Sequence, residues 1–337
     1  MHCSLTKKIG AMKKVIKVVG VLLLVVAIGV GSLISYTLVA LPNVGKLTDL
    51  KIDASPARVQ RGEYLAYAVC ACMDCHSTRD WTKYSGPLVP GTVGRGGEIF
   101  DQKLGFPGTY YSRNITPFGI SRYSDGELYR VITTGVTKEG RAMFPVMPYT
   151  HYGKMDPEDI YSIIAYLRTL PSVENKVPDS RSDFPMNIII NTIPTKAVGG
   201  KRPSATDKLA YGAYLVNAAG CNECHTRDKH GQIIKELEYS GGREFKFPDG
   251  SIIRTSNITP DVNTGIGTWT EEVFINRFRA FADSGYVAPG VPMGGFNTMM
   301  PWTMYGKMSR EDLSAIYTYL HSLPAQVNSV TKFTPAK

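Results

Sequence analysis

MPYTHYGKMDPEDIYSIIAYLRTLP, running from Met147 to Pro171, returns as MPWTMYGKMSREDLSAIYTYLHSLP from Met300 to Pro324. A match of that length and order is an internal duplication, so the chain consists of two copies of one unit. Three landmarks set the register: Cys72 with Cys221 (offset 149), RNITP at Asn114 with SNITP at Asn257 (offset 143), and Met147 with Met300 (offset 153). The second copy is therefore 6 residues shorter between the first two landmarks and 10 longer between the last two. Such differences belong in surface loops.

Within each copy the helix signals are few and the loops long. In the first, Pro56 and the helical spacing of Tyr64, Leu65 and Ala68 predict a helix over Ala57 to Ala71. Ser124-Asp125-Gly126-Glu127 has capping-box spacing ahead of LYRVITTGV. Asp156-Pro157-Glu158-Asp159 caps the last helix, IYSIIAYLRTL, which stops at Pro171. The second copy repeats this with LAYGAYLVNAA, WTEEVFINRFRAF and SREDLSAIYTYLHSL. The main strand signal is EFKFPDGSII, a small hairpin turning at Asp249-Gly250, so the expected class is all-α. Between the copies, residues 172–204 hold four prolines and the apolar run MNIII. That mixture suits a linker packed across both units.

Cys72-Met73-Asp74-Cys75-His76 and Cys221-Asn222-Glu223-Cys224-His225 occupy equivalent points of the two copies. Cys-x-x-Cys-His is the attachment signature of c-type haem. Two cysteines three apart at a helix end reach the two vinyl groups of one porphyrin, and the adjacent histidine reaches the iron from one side. Two bound haem c groups are the reading, held by Cys72, Cys75, Cys221 and Cys224 with His76 and His225 on the metal. Zinc would need its ligands gathered from pairs 149 residues apart and leaves the two histidines unexplained. A thioredoxin-like pair would need a strand-helix context that is absent. The second axial ligand comes from a facing loop, commonly as methionine or histidine. Met147 and Met300 fit, since each precedes a proline that stiffens its strap. Met143, Met155, Met293, Met299, Met304 and Met308 read as core filler. His151 aligns with Met304 and so does not recur as a ligand, while His230 and His321 read as surface or packing residues. Cys70 could join Cys75 in a wider attachment motif, but Cys72 has the ordinary spacing and an equivalent in the second copy. Cys70 therefore reads as a buried free thiol.

Working outward to the N-terminus, Val18 to Gly45 carries no charge, and the apolar run through Leu41 exceeds the ~20 residues a membrane-crossing helix needs. Lysines 7, 8, 13, 14 and 17 precede it and hold that end in the cytoplasm, which places the remainder across the inner membrane, on the periplasmic side. A cleaved signal would have a shorter apolar core, about 7–15 residues, and Leu38 spoils the approach to a small-x-small site at Ala40, so the reading is a retained single-pass anchor contacting membrane lipid. Cys3 precedes the run and is misplaced for lipid modification after a signal, and a membrane separates it from Cys70. The 337 residues are 43% hydrophobic and 20% charged, a globular composition that excludes whole-chain disorder. Without those five lysines the formal net charge of +9 falls to +4, which does not suit nucleic-acid binding.

The attachment motifs, RGEYL (Arg61 to Leu65) and YGAYL (Tyr211 to Leu215) ahead of them, RNITP, SNITPDVNTGIGTW, MPYTHYGKM and MPWTMYGKM together resemble tandem class I cytochrome c domains. They are similar to the multihaem cytochrome c subunits of bacterial membrane-bound alcohol, aldehyde and sugar-acid dehydrogenases. The resemblance covers about residues 55–325. It implies helical domains at 55–171 and 205–325 joined by a 172–204 linker, after a basic 1–17 segment and an 18–41 anchor. It also implies that Gly62 and Gly212 let the first helix of each domain pass close to the last, near Tyr166 and Tyr319. Those subunits commonly carry three haems, whereas two motifs stand here, and their catalytic subunit is a separate chain. The implied role is electron transfer, with no catalytic residue of its own, between a dehydrogenase, an oxidase or another cytochrome. A dihaem peroxidase or sulfur-compound oxidoreductase would leave one iron without its methionine. The haem subunit of a terminal oxidase would copurify with a haem-copper core.

Overall fold

The computed structural model describes residues 2–229 and 231–336, with side chains from Met12 onward; His230 lies outside the described residues, as does the side chain of Cys3. The apolar N-terminus forms one helix, α1 (His2–Val39), long and apolar enough to cross a membrane. The first copy follows with α2 (Pro56–Tyr64), continued by a π-turn through Val69, then α3 (Cys72–Cys75), α4 (Pro117–Ile120), α5 (Asp125–Thr134), α6 (Tyr149–Tyr152) and α7 (Pro157–Thr169). In the linker lies α8 (Met186–Ile189). The second copy contributes α9 (Lys208–Ala218), α10 (Cys221–His225), α11 (Glu271–Arg279), α12 (Trp302–Tyr305) and α13 (Arg310–His321).

The helix ends are where the local sequence places them. Ser124 and Glu127 exchange both bonds of a capping box on α5. Asp156 accepts from the Glu158 amide at the start of α7, and Ser309 does the same for Asp312 on α13. The helical content needs one correction, because short strands pair into small sheets. β1 (Ile99–Phe100), β2 (Gly108–Tyr111) and β3 (Arg181–Ser182) form one; β4 (Asp228–Lys229) and β5 (Gln232–Ile233) another; and β6 (Glu244–Lys246), β7 (Ile252–Arg254) and β8 (Phe333–Thr334) the third. β6 and β7 are the expected hairpin around Asp249-Gly250. The others are too short for a period-two pattern to register, and one linker strand and one near the C-terminus complete two of the sheets. Linker residues bond to the first copy through Asn175 to the Arg95 carbonyl and Arg202 to Asp159, Arg202 to Ser204 also border Tyr211 of the second copy, and α8 packs against α1.

In each copy the first and last helices cross at a glycine. A Cβ on Gly62 would stand 1.8 Å from the Ser162 carbonyl oxygen, and one on Gly212 would stand 2.0 Å from that of Ala315, with the Tyr166 and Tyr319 Cβ atoms next nearest beyond the same carbonyl groups. Leu65, Ile160 and Ile164 in one copy, and Leu215, Leu313 and Ile316 in the other, form the core that this closeness permits.

The two copies meet through reciprocal contacts. The Tyr64 hydroxyl donates to Asp312 (2.5 Å) and accepts from the Ser309 amide (3.0 Å). At the equivalent positions, the Tyr214 hydroxyl donates to Asp159 (2.7 Å) and accepts from the Asp156 amide (3.3 Å). Exchange of equivalent partners is the mark of an isologous, twofold arrangement within one chain. Asp159, only 1% exposed, also holds the Arg61 guanidinium in two bonds of 3.0 Å and Arg202 at 2.7 Å. Asp159→Ala strands these donors and is expected to lower unfolding stability by about 3 kcal/mol. Asp312→Ala, which chiefly releases Tyr64, is expected to cost less. Urea denaturation of the two variants compares them, and equal midpoints would contradict the asymmetry.

Candidate haem-binding sites

Both Cys-x-x-Cys-His motifs form a short helix whose histidine closes it. The His76 Nδ1 lies 2.7 Å from the Arg113 carbonyl oxygen, and the His225 Nδ1 lies 2.7 Å from that of Ser256. A carbonyl can only accept, so Nδ1 carries the proton and Nε2 keeps its lone pair free. Burial holds both imidazoles below the ordinary histidine value, which favours this neutral ring. The backbone clasp is doubled. The Gly96 amide donates to the His76 carbonyl (2.8 Å) and the Gly241 amide to that of His225 (2.7 Å). Both glycines have positive φ, and a Cβ on either would strike the backbone of Arg113 or Ser256 at about 2.5 Å or less.

The role of RNITP and SNITP emerges here. The Asn114 carboxamide oxygen accepts from the Thr116 amide (3.0 Å), and its nitrogen donates to the Val173 carbonyl (2.8 Å). Asn257 does the same to the Thr259 amide (2.9 Å) and the Gln326 carbonyl (2.7 Å). Each asparagine thus ties the loop bearing the histidine-orienting carbonyl to the segment beyond the last helix. The motif is visible in sequence, but nothing local to it says that the preceding carbonyl meets a histidine some 30–40 residues away.

Cys72, Cys75, Cys221 and Cys224 are free thiols, the first three half-buried and the last exposed. Burial pushes the Cys72, Cys75 and Cys221 thiols up to about 12. Among the described residues no three His, Cys, Asp or Glu side chains converge on a common metal position, and the two cysteine pairs are not brought together as zinc would require. Cys70 is buried and free, its carbonyl accepting from the Tyr152 hydroxyl (3.1 Å); in the second copy Tyr305 makes the same bond to Ala219 (2.6 Å).

The methionine straps match closely. The Tyr149 amide donates to the Met147 carbonyl and the Trp302 amide to that of Met300, both at 2.8 Å. Pro148 (φ −77°, ψ 53°) and Pro301 (φ −79°, ψ 65°) stand at the centre of these three-residue turns. This is the inverse γ-turn, whose φ the pyrrolidine ring already fixes. Met147 and Met300 are both half-buried, Met147 against the core. One further support escaped the sequence. Ser85, in the first copy, donates through Oγ to the Met300 carbonyl (2.6 Å) and accepts from the Trp302 amide (3.2 Å). Asn297 holds the same loop through the Ser85 amide and the Trp81 and Lys83 carbonyls. The strap of the second copy is therefore braced by the first.

The remaining candidates fall into place. Met155, Met304 and Met308 are buried filler and Met143 and Met299 half-buried, but Met293 is 99% exposed in a loop and fills no core. His151 turns both ring nitrogens to the second copy, to Asn217 (3.1 Å) and Glu223 (2.8 Å), rather than to a metal position. His321 packs on the Tyr317 ring at 4.0 Å.

No protein-family model matches the chain. Two cysteines, a histidine with Nε2 left free and a methionine in a proline-centred turn in each copy are nevertheless the residue types with which c-type cytochromes hold haem. The chain is 28% identical, over 81% of its length, to the cytochrome c subunit of a quinone-dependent alcohol dehydrogenase from Gluconobacter oxydans. It is 30% identical, over 84%, to the cytochrome c subunit of gluconate 2-dehydrogenase from Pantoea cypripedii. A diheme cytochrome c-type protein of Cereibacter sphaeroides is 28% identical over 79% of the chain and 86% of its own length. The chain is thus a relative of dehydrogenase cytochrome c subunits, of which it spans 56% and 63% in the first two cases.

Proposed function

We propose that the protein is a membrane-anchored dihaem c-type cytochrome that carries electrons from a donor dehydrogenase toward the respiratory chain. In this reading residues 55–171 and 205–325 are class I cytochrome c domains, each holding one haem c through Cys72 and Cys75 or Cys221 and Cys224. His76 with Met147, and His225 with Met300, would supply the protein ligands to the two irons. The bound haem supplies a one-electron couple at each site, and His/Met ligation sets it at higher potential than paired histidines. The protein's own part is to keep geometry fixed. The Arg113 and Ser256 carbonyls hold the imidazoles in one tautomer, and the proline-centred turns hold the sulfurs.

The observation that carries the reading is the equivalence of the two sites: both have the complete donor set, and neither replaces its methionine. A catalytic haem would need an open or readily vacated position. The anchor α1, with the basic side inward, keeps both domains beside membrane-bound partners and raises their effective concentration. The relatives named as dehydrogenase subunits support a dehydrogenase as donor. The test is a redox titration of the purified full chain with haem and protein quantified. Two haems per chain, both low-spin and neither turning over peroxide, are expected; one haem, or peroxide turnover, would defeat the reading.

A further inference from the structure

The linker run Phe184-Pro-Met-Asn-Ile-Ile-Ile-Asn-Thr-Ile-Pro-Thr195 carries no charge, although Asp183 and Lys196 flank it. It forms α8 and a 3-10 turn at Ile190–Thr192, and both pack against α1. Among the described side chains of α1, all are exposed except Ile34, which is half-covered, and Thr37, which is 7% exposed. The linker contact therefore falls at that level. The apolar run of α1 continues to Leu41. At ~1.5 Å per residue, Thr37 lies about 3 Å and Ile34 about 8 Å inside Val39, where α1 ends. Whatever touches α1 there shares its depth.

We infer that the α8 segment is a second membrane element, lying in the boundary between headgroups and acyl chains beside the outer end of the anchor. An element of this kind seats its apolar side about 5–10 Å into that boundary, a range that overlaps the depth of the α1 contact. Its exposed side chains mix apolar and polar groups, as a headgroup boundary admits: Phe184 is 80% exposed and Ile189 44%, with Asn187 and Thr192 exposed beside them. Its backbone is prepared for a water-poor site, because the Asn187 amide donates to the Asp183 carbonyl and those of Ile188 and Ile189 to that of Pro185. The occupant is the lipid of the bilayer that holds α1, as continuity with the anchor requires. Since the segment joins the two copies, it sets their height and tilt over the membrane, which a single flexible tether would leave free.

This inference rests on α1 being a span, and the test separates the two claims. The full haem-loaded chain, carrying Cys3→Ser and Cys70→Ala to remove the remaining native thiols, takes a nitroxide at one of four introduced cysteines: Phe184→Cys, Ile189→Cys, Leu24→Cys in the middle of α1, or Val287→Cys on an exposed loop of the second copy. In phosphatidylcholine nanodiscs, collision rates with oxygen, which partitions into lipid, are compared with those of a water-soluble nickel chelate. Positions 184 and 189 are expected to give oxygen-to-nickel ratios several-fold above that at 287 and approaching that at 24. Nickel access at 184 and 189 with a lipid signature at 24 overturns the inference and leaves the span intact. A water signature at 24 overturns the span reading and the inference with it. Labels at 184 and 189 that are immobile and reached by neither reagent would show protein, not lipid, on this surface and would also overturn it.

Discussion

Gly62→Ala is expected to destabilise the haem-loaded protein by about 3 kcal/mol or more, and Gly212→Ala by a similar amount. The added methyl would lie 1.8 Å from the Ser162 carbonyl oxygen in one copy and 2.0 Å from that of Ala315 in the other. The obstacle is main chain on the opposite helix, so no rotamer change relieves the clash. The helices must move apart instead, which opens the core around Leu65 and Ile164, or Leu215 and Ile316. Gly290→Ala is the control. Its Cβ would meet nothing within 4 Å, and its effect is expected within about 0.5 kcal/mol of zero. Denaturant midpoints of the three variants provide the comparison. A Gly62→Ala protein that unfolds with the wild type would mean that the helices do not cross at this distance.

The second large effect concerns the sulfurs. Met147→Ala and Met300→Ala are each expected to abolish the long-wavelength sulfur-to-iron absorption of one ferric haem. Each should also lower that haem's potential by on the order of 0.1 V, within the roughly 0.8 V that axial ligands span. The double variant loses the band altogether. Ser85→Ala separates positioning from ligation. It removes the brace on the Met300 carbonyl; among the described residues no side chain donates to the Met147 carbonyl. It should weaken the absorption and shift the potential of the second-copy haem alone, leaving the first unchanged. If neither methionine variant alters the spectrum, the axial assignments fail. If Ser85→Ala disturbs both haems equally, its effect is on the contact between copies rather than on the strap.

Much of this was legible locally. The caps at Ser124, Asp156 and Ser309, and the hairpin at Asp249-Gly250, depend on residues within a few positions of one another. The same holds for the attachment motifs and the proline straps, whose turn geometry follows from one pyrrolidine ring. The glycine crossing was legible only through resemblance, since a spacing argument cannot tell a glycine at a helix contact from one on a solvated face. The short strands and the exposure of Met293 went unread because both depend on what a loop meets after folding.

Duplication, the paired Cys-x-x-Cys-His motifs and the apolar N-terminal run are properties of order along the chain, which covalent connectivity preserves whatever the fold. The twofold exchange of Tyr64 and Tyr214, the carbonyls that orient His76 and His225, the Ser85 brace and the level of α8 on α1 arise between segments about 30 to 250 residues apart. Their partners are backbone atoms or buried carboxylates whose positions depend on the path of the whole chain. No local spacing encodes them, so they became visible only once the helices were packed.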